Sequence, residues 1–81
     1  ISITKYLSKY YKNKNIRVNC VSPGGIEDNQ SNIFKKRYKS SCNSKGLLNE
    51  GDVTKLISFL LSRDSKYING QNLIIDDGWS L

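Results

Sequence analysis

With 81 residues the chain is at most one small domain, and a chain of this size buries only about 60 % of the surface its unfolded form exposes, which leaves little for a self-sufficient core. Thirteen Lys and Arg against seven Asp and Glu give a net charge of +6, but the lysines are scattered over polar faces and no nucleic-acid recognition motif accompanies them, so they read as solvated surface. No His occurs, the two cysteines show no C-x-x-C spacing, and no apolar run approaches the roughly 18 residues of a membrane span; these features argue against a metal site or a membrane helix and fit a cytoplasmic protein.

The chain opens at Ile1, without an initiator Met, and enters a helical pattern at once, so it is expected to be a piece of something longer. Ile3, Tyr6, Leu7, Tyr10 and Tyr11 recur at i, i+3, i+4, i+7 and i+8, the spacing of one helix face, while Lys5, Lys9 and Lys12 point elsewhere. The three tyrosines read as packing residues of that face. Asn13-Lys14-Asn15 tolerates turn and left-handed geometry and should end the helix. Residues 16–21, dominated by β-branched side chains, predict a strand that stops at Ser22-Pro23-Gly24-Gly25, where Pro removes a donor and Gly frees φ. Residues 27–45 are rich in Ser, Asn and Lys, with one short helical candidate at 33–38, and read as a mobile flap.

Asn49 predicts the cap of a second helix, with Glu50 and Asp52 setting acidic charge against the positive end of the helix dipole. Val53, Leu56, Ile57, Leu60 and Leu61 form its apolar stripe. Asn69-Gly70-Gln71 predicts a turn and residues 72–76 a final strand, closed by Asp77-Gly78. Helix, strand, loop, helix, strand is the alternation of a parallel α/β sheet. Such sheets bind ligands in the crevice beyond the carboxyl ends of their strands, which here is Ser22-Pro23-Gly24-Gly25-Ile26. Taken alone, that segment fits both a ligand lip, with glycines admitting a carboxamide or phosphate to the backbone, and a plain turn.

The run Ile16-Arg17-Val18-Asn19-Cys20-Val21-Ser22-Pro23-Gly24 resembles the sixth strand and Pro-Gly loop of the short-chain dehydrogenase/reductase family. Phe59-Leu60-Leu61-Ser62, Tyr67-Ile68-Asn69-Gly70-Gln71 and Leu73-Ile74-Ile75-Asp76 are similar, in order and spacing, to its last helix, turn and seventh strand. The resemblance implies that residues 1–81 are the carboxy-terminal part of one NAD(P)-binding, Rossmann-type doubly wound parallel sheet, with the flap at 27–45. It implies NAD or NADP as cofactor, with Pro23 and Gly24 against the nicotinamide and the main chain of Ile26 on its carboxamide. The family's catalytic Tyr, Lys, Ser and Asn would precede Ile1, so no catalytic residue is expected within the chain, nor any metal ligand.

Several positions depart from the family pattern. Asp28 stands where a Thr commonly reaches the cofactor; a carboxylate there would repel a diphosphate, so Asp28 is expected to face substrate or solvent. Gly51 and Asp77 replace a Pro and a Gly, with no chemical consequence expected. Gly24 to Gln30 and the terminal Asp77-Gly78-Trp79-Ser80-Leu81 resemble flagellin modification oxidoreductases, which act in bacterial sugar pathways. With Asn29, Gln30 and nearby lysines, the flap suits a sugar or nucleotide-sugar substrate. A homo-oligomer through the last helix and strand is implied as well. The alternative is that those two elements make the chain a non-catalytic association module.

Overall fold

The computed structural model describes residues 2–81. Helix α1 spans Ser2–Tyr10, strand β1 Cys20–Pro23, helix α2 Asn32–Ser40, helix α3 Glu50–Leu61, a 3₁₀ turn Arg63–Ser65, and strand β2 Asn72–Ile75. The strands pair in parallel, with Cys20 opposite Asn72 and Pro23 opposite Ile75, so the chain between them is one long crossover.

Helix α1 ends where the sequence predicts, because Asn13 and Asn15 take positive φ (66° and 58°) and turn the backbone out of the helix. Its buried face differs from the predicted one. Thr4 and Ser8 are buried, and the Ser8 hydroxyl lies so close to Gly70 that a Cβ there would sit 2.7 Å from it. A turn with no side chain admits the small residues of the helix, and the apolar stripe is left outside: Ile3, Tyr6 and Tyr10 are 67, 65 and 64 % exposed. The tyrosines pack on one another instead of on a core, Tyr6 stacked on Tyr10 at 6.2 Å and Tyr10 edge-on to Tyr11 at 5.0 Å.

Strand β1 starts later and runs further than residues 16–21. Ahead of it, side-chain amides replace the ladder: Asn69 Oδ1 accepts from Val18 N (3.0 Å), Asn19 Nδ2 donates to Ile68 O (2.9 Å) and Asn19 Oδ1 accepts from Gln71 N (3.0 Å). The ladder then takes Cys20 N to Gln71 O and Gly24 N to Ile75 O, both at 2.8 Å. By the alternation of a strand, the nitrogen of Pro23 faces the opposite edge, where no donor is required, which lets Pro belong to the strand instead of ending it.

Helix α3 begins on the predicted cap. Asn49 Oδ1 accepts from Asp52 N (3.0 Å) while Asp52 Oδ2 accepts from Asn49 N (2.9 Å), a closed capping box. Its far end is held by Arg17. That guanidinium donates to Leu60 O (3.1 Å), Ser62 O (3.3 Å) and Ser65 O (2.8 Å), supplying donors to carbonyls a helix terminus leaves free and a cation to its negative pole. Only Leu48, 5 % exposed, is a buried hydrophobic residue among those described. The Cα radius of gyration is 15.3 Å, against about 12 Å for a compact chain of this length.

Candidate functional site

The segment beyond β1 is fixed from three sides. Gly25 O accepts from Leu48 N (2.9 Å) and Leu48 O accepts from Glu27 N (2.8 Å), a one-residue parallel bridge between Ile26 and Leu48. In such a bridge the flanking residues make the bonds, so the N–H and C=O of Ile26 itself point away from Leu48. Gly25 N donates to the Tyr38 hydroxyl (2.6 Å), and Tyr38 stacks on Trp79 (5.6 Å, planes 7° apart) and neighbours Phe34 (6.1 Å, planes 29° apart). Asp76, at the end of β2, orients Trp79 by accepting from Gly78 N (3.0 Å) and Ser80 N (3.1 Å). Its hydrogen bonds with Ser80, and next with Gly78, hold its carboxyl below the usual range.

Both glycines are required by the protein's own packing. A Cβ on Gly24 would stand 2.7 Å from Asp76 Cβ and 2.9 Å from the Tyr38 hydroxyl, and one on Gly25 would meet Leu47 at 2.7 Å. Their missing side chains therefore let β2, Tyr38 and Leu47 close on the loop.

Pro23, Gly24 and Ile26 thus form one continuous lip, and Asp28, Asn29 and Gln30 make the turn that follows. Asp28 and Asn29 are exposed, Asn29 with φ 58°. Gln30 folds back over the loop: its Oε1 accepts from Asp28 N (2.7 Å) and its Nε2 donates to Ile26 O (2.9 Å). Both ends of its carboxamide are thus engaged within the loop. Tyr10 and Lys14 do carry a Tyr-x-x-x-Lys spacing, but the positive φ of Asn13 (66°) breaks the helix between them, so they do not share a helix face. Among the described residues no group of His, Cys, Asp or Glu could hold a metal ion, and no helix is long and apolar enough to cross a membrane.

Two residues that sequence reasoning passed over hold the site together. Tyr38 carried no signal beyond its place on the α2 face. Asp77 had been read as inconsequential; its carboxylate accepts from Ser44 N (3.0 Å), Lys45 N and Gly46 N (2.9 Å) and from the Ser44 hydroxyl (3.0 Å). The amides of Gly46, Lys45 and Ser44, in that order of effect, lower its pKa to about 2. The Asp-Asp-Gly turn, where Asp takes a positive φ of 53°, was the legible clue. Asp77 so ties the base of the flap to the end of β2.

A parallel strand pair with a backbone donor and acceptor offered at its carboxyl end is a dinucleotide-fold arrangement, and the comparisons agree. Residues 1–80 match the family model described as Enoyl-(Acyl carrier protein) reductase, and the chain belongs to the short-chain dehydrogenase/reductase family. It is similar to post-translational flagellin modification protein A of Campylobacter coli, at 50 % identity over 76 residues that cover 94 % of this chain and 30 % of that protein. It is 35 % identical over 86 residues to 7alpha-hydroxysteroid dehydrogenase of Bacteroides fragilis, covering 100 % of this chain and 33 % of that one. A short chain dehydrogenase of Leptospira borgpetersenii, solved with bound NAD+, superposes with a TM-score of 0.90 at 42 % identity over 99 % of this chain and 32 % of its own. The chain spans 30 to 33 % of the length of these three proteins.

Proposed function

We propose that the chain is the carboxy-terminal third of a cytoplasmic NAD(P)-dependent oxidoreductase that acts on a sugar or nucleotide sugar in bacterial flagellin glycan synthesis. The observation that carries this reading is the Ile26 edge. One residue turns its N–H donor and, beside the bond from Gln30 Nε2, the second lone pair of its C=O away from Leu48 at the carboxyl end of β1, the complement of a primary carboxamide, which presents one acceptor oxygen and two N–H donors. The nicotinamide ring carries that group. Bound there, it would supply or accept the hydride, and the chain's own part is to hold and orient it.

Pro23 and Gly24 would floor the ring while Ile26 fixes its rotation, and the Tyr38–Trp79 stack keeps the lip from moving when the ligand arrives. Asp28 and Asn29, both exposed on the turn, are the substrate-facing candidates, with the flap of residues 27–45 as cover. The likeness to the Campylobacter coli flagellin modification protein supports the sugar pathway. A reducing compartment suits Cys20 and Cys42, both free thiols. Ile57, Leu61 and Ile74, exposed on α3 and β2, favour a second reading in which these elements also join copies of the enzyme into an oligomer.

A cofactor analogue tests the Ile26 contact directly. The 3-acetylpyridine analogue of NAD keeps the acceptor oxygen and loses the amide donors, so it should bind the full-length enzyme roughly two- to tenfold more weakly than NAD, the value of one hydrogen bond. Equal affinities by calorimetry would remove Ile26 O from the site.

A further inference from the structure

Outside the lip lies a pocket of about 480 Å³ between α2 and the end of the flap, lined by four lysines, Lys35, Lys36, Lys39 and Lys45, with Asn32, Glu27 and Leu47. Asn32, Lys35, Lys36 and Lys39 recur at helical spacing and so share one face of α2. Like charges three and four residues apart destabilise an isolated helix, and this one has no acidic residue in its first turn to offset them. Lys35 pairs with Glu27 (2.7 Å) and Lys45 with Asp52. Among the described residues no carboxylate pairs with Lys36 or Lys39.

The pocket is also placed to matter. Glu27 is the residue after Ile26, and Leu47, on the opposite wall, is the side chain that closes on Gly25, so the pocket shares a wall with the lip. Asp77 grips the amides of Ser44, Lys45 and Gly46, which fixes that wall and the starting point of the Lys45 side chain. A fixed wall facing a helix with two uncompensated ammonium groups, and an amide beside them, is a receptor for a doubly charged oxyanion.

We propose that this pocket binds a phosphate or diphosphate group, through Lys36 and Lys39 with Asn32 as a hydrogen-bond donor; the proposal rests on the oxidoreductase reading and deepens it. The phosphate is one carried by the substrate, and the lysines act as point charges that seat it while the reacting end lies at the Ile26 edge.

The test uses the full-length enzyme and inorganic pyrophosphate as probe, titrated calorimetrically at low salt with and without saturating NADH. The double substitution Lys36→Gln, Lys39→Gln should weaken pyrophosphate binding about tenfold or more. Lys5→Gln, Lys55→Gln on the exposed faces of α1 and α3 removes the same charge elsewhere and should leave it unchanged. Pyrophosphate bound alongside NADH assigns the pocket to the substrate; pyrophosphate excluded by NADH overturns that assignment. Equal pyrophosphate affinity in the pocket variant and the wild type, or no saturable binding by a protein that still takes up NADH, overturns the proposal. Lysine-dependent pyrophosphate binding by a protein that takes up neither NADH nor NADPH upholds the pocket and overturns the oxidoreductase reading instead.

Discussion

Asp77 shows how a single residue can couple two distant segments. Its carboxylate sits in a nest of amides from Ser44, Lys45 and Gly46, more than thirty positions back along the chain, and those bonds favour its charged form. A carboxyl whose folded pKa lies near 2, below its ordinary value near 4, stabilises the fold fully above the ordinary value, and that stabilisation is lost as pH falls toward 2. We therefore expect Asp77→Asn to lower the melting temperature of the full-length enzyme at neutral pH. The gap from wild type should stay constant down to about pH 5 and narrow below pH 4. A gap independent of pH between 7 and 3 would mean that the carboxylate's charge is not what holds the flap.

The residue scale is also where the sequence was least readable. The end of β1 and its Pro23-Gly24 pair are legible because a strand end and a Pro-Gly pair are local features. Gln30 was expected to face a substrate, since an amide side chain suits hydroxyls. Whether it folds back on Ile26 O and Asp28 N depends on loop geometry that composition does not encode. Tyr38, whose hydroxyl receives the Gly25 amide from thirteen positions away, is invisible for the same reason.

At the scale of elements, helix ends were legible and helix faces were not. Asn13, Asn15 and Asn49 mark ends through their own backbone chemistry, and all three act as read. The stripe of α1 was correctly periodic, yet the face it turns to the rest of the chain is that of Thr4 and Ser8, because Gly70 admits only small residues there. Periodicity locates an apolar face; it does not say whether the same chain covers it. In α3 the capping box does two jobs, since Asp52 completes the cap and also pairs with Lys45 at the flap's end. Its carboxyl is held below the ordinary range, first by Lys45 and then by Asn49. Asn49→Ala should cost about 1 kcal/mol of stability in denaturant unfolding of the full-length enzyme, and Asn49→Ser much less, because Ser restores an acceptor. Equal losses for both would show that the cap is not what fixes the start of α3.

For the whole molecule, the exposed surfaces tell more than the buried ones. Leu48 is the single buried hydrophobic residue among those described, while Ile3, Tyr6, Tyr10 and Leu61 are open, Leu61 at 81 %. Two strands with both outer edges free carry little stability of their own. A chain spanning 30 to 33 % of the relatives it matches, with extents of 49 × 23 × 20 Å and the apolar face of α1 largely exposed, fits the proposal made above that it is one part of a larger sheet. The most direct test is the hydrogen exchange of the Ile26 amide in the full-length enzyme, with and without NADH. The account predicts that NADH slows exchange at Ile26 while leaving the amide of Asn29, three residues further on the exposed turn, unchanged. NADH bound at saturation with no change of exchange at Ile26 would contradict it.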